Sequence, residues 1–138
     1  MRNINEFNIP PGDSCYEILY FGVNLILMFD YRLSFDIEVQ NSNENIQVLI
    51  ISRKDVPAWK ATKNIKDVNI YYDKLGTRIN DIFKPSISDA YAFILKNRSL
   101  LDSKPQKVEV ILVHTWLQEV KESQLKDRKD NNFEPGLS

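Results

Sequence analysis

Several things are scarce in this sequence, and each scarcity excludes something. One cysteine, Cys15, stands among 138 residues, so no intramolecular disulfide staples the chain as in small secreted domains. Its four glycines form no Gly-rich phosphate loop, and Gly12 after Pro10 and Pro11 reads as an ordinary turn, which excludes nucleotide binding by that route. Neither sign of charge dominates: 18 Lys+Arg against 19 Asp+Glu give a formal net charge of -1. No strong overall field draws the chain to nucleic acid or anionic lipid, although a local basic patch remains compatible with that balance. Long apolar runs are missing too. The stretch over residues 23–29 is broken by Asn24 and followed by Asp30, far short of the roughly 20 residues a bilayer-spanning helix needs. Residues 1–8 lack the apolar stretch of a signal peptide. The expectation is a soluble, cytoplasmic protein without a membrane span.

What is present reads as strands. Leu33-Ser34-Phe35-Asp36-Ile37-Glu38-Val39-Gln40 alternates apolar and polar without error, the pattern of a strand with one buried and one wet face. Asn41-Ser42-Asn43-Glu44-Asn45 follows as a polar turn cluster and predicts a hairpin to the next strand, residues 46–52. That segment is apolar on both faces, so it is expected to be central and covered on two sides. Further strands are predicted over residues 15–21 and 25–31, joined by Gly22, Val23 and Asn24, and over 90–96 and 107–113 with a hairpin or sheet-crossing loop between them. Shorter strands fit 68–72 and 78–83, with Asp73-Lys74-Leu75-Gly76 as their turn. Pro57 and Pro85 argue against a long helix in the intervening region. Helical spacing is confined to the C-terminus, where Trp116, Val120 and Leu125 line one face. The mixed charges of residues 121–130 fit a solvated helix or tail.

The fold class that follows is all-β: an antiparallel sandwich or jelly roll of about seven or eight strands with a short C-terminal helix or tail. One β-sandwich domain over residues 1–116 and a charged segment over 117–138 account for the chain length.

The order of features then resembles a known family. Phe7-Asn8-Ile9-Pro10-Pro11-Gly12 leads into Cys15, a two-strand block and the Asn43 turn, and Asp89-Ala90-Tyr91-Ala92-Phe93-Ile94-Leu95-Lys96-Asn97 precedes a closing Val-rich strand. This is similar to the GOLD domain, the β-sandwich of early-secretory cargo receptors and some lipid-transfer proteins, over residues 7–113. The resemblance implies a sandwich that binds a protein or lipid through loops or a sheet face. It departs from the family where the second family cysteine would fall at Ile94, so the family disulfide cannot form and Cys15 is left as a small buried hydrophobe. With no coiled coil or membrane anchor visible, a cargo-receptor role does not carry over.

Candidate chemistry is sparse. His114 is the single histidine; with no Cys or second His beside it, it reads as a packed or strand-end residue rather than a metal ligand or general base. Cys15 has no Lys or Arg close in sequence to lower its pKa, and as a nucleophile it would need His114 beside it in space. Asp36 and Glu38 share a strand face about 7 Å apart and fit a solvated face better than a cation site or acid–base pair. No catalytic residue, metal site or cofactor is expected.

The binding candidates are Arg53, Trp59, Lys60, Tyr71 and Tyr72. Arg53, Lys54, Trp59, Lys60, Lys63 and Lys66 interleave cations with an aromatic, as a single-strand nucleic-acid surface would, but Asp55 and Asp67 dilute that charge and Trp59 has the area to tuck onto the sandwich instead. Residues 53–74 are therefore the first place to look for a site, because loops carry function. The leading expectation is a non-enzymatic protein-interaction module whose partner is another protein or a second copy of the chain. A sandwich binding lipid or carbohydrate on Trp59, Tyr71 and Tyr72 is the alternative, and a nucleic-acid module ranks third.

Overall fold

Alternation along one strand organises the molecule. In the computed structural model, which describes residues 2–11, 16–62, 68–98 and 105–118, β3 (Met28–Val39) buries Tyr31, Leu33, Phe35, Ile37 and Val39 and turns Arg32, Ser34, Asp36 and Glu38 outward. The other strands are β1 (Arg2–Ile9), β2 (Tyr16–Val23), β4 (Ile46–Ser52), β5 (Ile70–Gly76), β6 (Arg78–Phe83), β7 (Asp89–Asn97) and β8 (Gln106–Gln118), with one short helix, α1 (Val56–Thr62), between β4 and β5. They form two four-stranded antiparallel sheets, β1-β8-β3-β6 and β2-β7-β4-β5. Six of the seven connections cross from one sheet to the other, and only β4 and β5 are consecutive neighbours within a sheet. The fold is an eight-stranded jelly roll, a double-sheet sandwich.

Sheet assignment corrects the pairings expected from sequence. The strands flanking the Asn-rich turn are not a hairpin, since β3 and β4 lie in opposite sheets. The turn residues bind across the molecule instead: Lys107 N–H donates to Asn41 Oδ1, Gln106 Nε2 to the Asn45 carbonyl, and Thr77 Oγ1 to the Asn43 carbonyl. The strands predicted over 25–31 and 33–40 are one strand, β3. Asp73 to Gly76, expected as a turn, continues β5, and the chain changes sheet at Thr77. Trp116 does not open a helix; it belongs to β8, which runs to Gln118 and so past the expected domain edge. The rest of the predicted helix, with Val120, Leu125 and the charged run, lies outside the described residues, as do Cys15, Lys63, Lys66 and Asp67.

The main core fills the space between the sheets, with Leu33, Phe35 and Ile37 of β3 facing Tyr91, Phe93 and Leu95 of β7. A second cluster covers the outer side of the β2-β7-β4-β5 sheet. There Leu49, Ile51, Ala92 and Ile94 pack beneath Val56 and Trp59 of α1, and Tyr16 meets the Trp59 ring edge-on at 4.9 Å. This second layer explains why every residue of β4 is buried, as its two-faced apolar pattern predicts. Pro57 fits because it occupies the first helical turn, where its missing N–H costs no hydrogen bond. Trp59→Ala is expected to destabilise the fold by about 3–5 kcal/mol, the range for truncating a buried aromatic, whereas Arg53→Ala at the surface should cost about 1 kcal/mol or less. Urea unfolding followed by circular dichroism measures both.

Candidate functional site

The five residues singled out from sequence do not come together. Trp59 is 1% exposed, and its indole lies under α1, so it presents no face to a ligand. Lys60 is exposed on the same helix, and Arg53 sits at the surface with its guanidinium 4.6 Å from the centre of the Tyr20 ring. Tyr71 and Tyr72 follow each other in β5, yet both turn into the sandwich, because a register shift opposite Ile50 and Ile51 lets Tyr71 bulge from the ladder. Tyr71 packs on Tyr91 and Phe83, and Tyr72 packs edge-on to Phe35. The Tyr72 hydroxyl donates to Asp81 at 2.8 Å. Burial, together with that carboxylate, raises the phenol well above its ordinary range. These tyrosines seal the sandwich between β5 and β6; they are no stacking platform. Asp36 is likewise engaged, accepting two hydrogen bonds from the Arg78 guanidinium at 2.9 and 3.2 Å.

A different set of residues gathers at the end of the sandwich formed by the β2–β3 turn, residues 84–88 and the last residues of β8. Asn24 holds the turn: its carbonyl accepts from Leu27 and Met28 N–H, and its side chain accepts from Ile26 N–H. Leu25 N–H donates to Ser88 Oγ, tying the turn to the segment before β7. The turn thereby presents Ile26 and Leu27 to solvent at 72% and 57% exposure, with Ile87 exposed beside Ser88. Beyond the turn, Phe29 pairs with Leu117, and both are exposed.

The register explains why this end projects. β6 reaches only as far as Leu33 on β3, and β1 only as far as Val113 on β8. Residues 28–32 and 114–118 therefore continue as a two-stranded ribbon. Within it Asp30 and Tyr31 together oppose Trp116, a bulge with Asp30 at a φ of 53°. Two cations hold the Asp30 carboxylate, Lys84 at 3.0 Å and Arg32 at 3.3 Å, and the Lys84 hydrogen bond keeps its pKa below the ordinary carboxylate value. Asp30, Arg32, Thr115, Trp116 and Leu117 line a depression of ≈ 280 Å³ here.

Beneath the ribbon runs a row of rings. Tyr91, Phe21, Tyr31 and Trp116 stack in succession at 5.3, 6.3 and 6.1 Å, and Trp116 emerges at the surface. His114 packs beside Phe21 and its Nδ1 lies 2.5 Å from the Tyr31 hydroxyl. Burial lowers the His114 pKa and raises that of Tyr31, and a hydrogen bond joins the two side chains. Sequence reasoning missed Ile26, Leu27, Phe29, Trp116 and Leu117 as surface residues. The available signals were an apolar pair directly after a turn-forming Asn and the β8 alternation, which continues past His114.

No family model matches the chain, and no curated protein matches it. Among solved structures it is similar to one described as "CBM4 structure and function", which it resembles over 83% of this chain and 71% of that chain with 10% identity and a TM-score of 0.49. A likeness of this size says nothing of what this chain binds. Among the described residues, no helix is long and apolar enough to cross a membrane.

His114 makes the fold sensitive to pH. Its folded pKa lies below the ordinary 6.5, so beneath that value the unfolded chain takes up a proton that the folded chain does not. Stability is full above about pH 6.5 and falls as the pH drops from there toward the folded pKa. Urea midpoints at pH 7.5 and 5.5 should show this loss in the wild type and a smaller one in His114→Gln. Equal losses in the two proteins would assign the effect elsewhere.

Proposed function

We propose that this protein is a non-enzymatic protein-interaction module and that its docking surface is the projecting β3–β8 ribbon with the adjoining β2–β3 turn. The observation that carries this reading is the concentration of exposed apolar side chains there: Ile26, Leu27, Phe29, Ile87, Trp116 and Leu117 account for six of the ten exposed large hydrophobics among the described residues. An exposed apolar cluster with a charged margin, here Asp30, Arg32 and Lys84, is characteristic of protein contact surfaces. The ribbon supplies the matching backbone. Its strands outrun β1 and β6, and an extended segment from a partner can add to such an edge by main-chain hydrogen bonds while alternate apolar side chains meet Phe29 and Leu117. The ligand chemistry is therefore an extended peptide of alternating apolar residues. Trp116, already backed by Tyr31, provides a rigid aromatic anchor at little entropic cost.

A second reading rests on the depression beside Trp116. An aromatic ring next to the planar polar groups of Asp30 and Arg32 is also suited to a sugar ring, whose C–H face packs on the indole while its hydroxyls bond to the charged pair. The GOLD-like resemblance, which implies protein or lipid binding, agrees with the peptide reading in ligand class only.

Selection of peptides from a random display library against the full chain tests the proposal. The expected binders alternate apolar residues and perturb amide resonances of residues 28–32 and 114–118. Leu117→Glu and Trp116→Ala should weaken their binding about tenfold or more, the cost of losing an anchor. Binders whose perturbations map elsewhere, or a selection yielding none, would overturn it. Trp116-dependent retention on a glycan array, with no peptide bound, would establish the second reading.

A further inference from the structure

The outer faces of the two sheets differ. That of the β2-β7-β4-β5 sheet is covered by α1, whereas that of β1-β8-β3-β6 carries Ile4 and Ile82 at 60% and 55% exposure, with Ile111 and Val113 half-buried between them. Register arranges this open face in rows. Ile4, Ile111, Asp36 and Asn80 lie side by side, and the next row holds Val113, Ser34 and Ile82. Together these rows form a mixed band, apolar at Ile4, Ile111, Val113 and Ile82, with a shallow groove of ≈ 180 Å³ between Ile111, Val113 and Asn80, floored by Phe35.

Opposite charges flank the band along the strands. On one side Glu6, Glu109 and Glu38 share a single row, and of the nearby cations Lys107 contacts Glu6 while Arg78 is held by Asp36. Arg78 also stands opposite Glu38 in that row, so four carboxylates, Asp36 included, meet two cations and negative charge is in excess. On the other side Arg32 and Lys84 share the single carboxylate of Asp30, which leaves positive charge in excess.

We propose that this face is a self-association surface on which a second copy of the chain stacks about a two-fold axis lying across the strands above the Phe35–Leu112 pair. The register makes the face self-complementary about that line. Arg32 and Glu38 are equally spaced from Phe35, as Thr115 and Glu109 are from Leu112. A half-turn about the axis therefore sets Arg32 of one copy over Glu38 of the other, Ile111 over Val113, and the Ser34 hydroxyl over the Asp36 carboxylate. Just past β6 it sets Lys84, which shares the Asp30 carboxylate with Arg32, near Arg78, which Asp36 holds. Such isologous pairing buries one patch against its own copy, and antiparallel sheets stack in this way about 10 Å apart. The face measures roughly 20 Å in each direction by strand spacing and rise, about half the area per partner of a standard interface, so the dimer is weak and its affinity falls with salt.

Sedimentation equilibrium of the full chain from about 10 μM to about 1 mM, at low and moderate salt, reads this directly. Monomer–dimer behaviour that weakens with salt is expected, with Arg32→Glu and Glu38→Arg each lowering association about fivefold or more and the double charge swap restoring it. Restoration separates the intersubunit pair from a general effect on folding, since both side chains are at the surface and no local loss is repaired by the second change. A monomer at every concentration, or a double variant no better than either single one, would overturn the proposal.

Discussion

Burial of β4 and β7 on both faces is the constraint from which the rest of the structure follows. Their inner faces pack against β3 and β8 in the main core, and their outer faces need a second cover. The segment between β4 and β5 supplies it by coiling into α1 and lowering Trp59 onto Leu49, Ile51, Ala92 and Ile94. An aromatic ring of that size contributes more buried area than any neighbouring side chain, and it fixes the helix on the sheet. Because α1 is the one α-helix among the described residues, none of those residues gives the opposite sheet an equivalent cover. Its outer face and its projecting ribbon carry exposed apolar side chains instead.

Polar side chains perform the turn work that glycine performs in many strand-rich chains. Asn24 closes the β2–β3 turn through both its carbonyl and its side chain, Asn41 bridges Pro105 and Lys107, and Ser42 accepts from the Glu44 amide. Each of these side chains can satisfy a backbone group that the ladder leaves free. The same economy of conformation places Ile26 and Leu27 outside: once Asn24 has satisfied the turn amides, the residues at its tip have no sheet to pack on. Local turn chemistry and the exposed apolar end are thus one arrangement.

The aromatic row connects that end to the core. Tyr91 is anchored by its hydroxyl to the Ile87 carbonyl at 2.6 Å and stacks on Phe21, which stacks on Tyr31, which backs Trp116. His114 closes the row through its hydrogen bond with the Tyr31 hydroxyl. A bound segment resting on Trp116 would therefore be supported by side chains that reach through the sandwich to the opposite sheet.

Strand character was legible from local pattern, because a half-buried strand imposes a period of two on its own residues: β3, β7 and β8 announce themselves in this way, and the two-faced apolar run of β4 marks a central strand. The all-β jelly roll was legible for the same reason. Partner choice was not, since the alternation of β3 is identical whether its neighbour is β4 or β8, and only the packing of two sheets around one core decides that the Asn-rich turn crosses between them. Trp59 and the Tyr71–Tyr72 pair carry the residue types of a recognition surface, yet tertiary burial turns all three inward through a short helix and a bulge that no local period encodes. Trp116 shows the converse. Its sequence neighbours fit a helix, and it is the pairing of Phe29 with Leu117 on the far strand that keeps β8 extended and brings the indole to the surface.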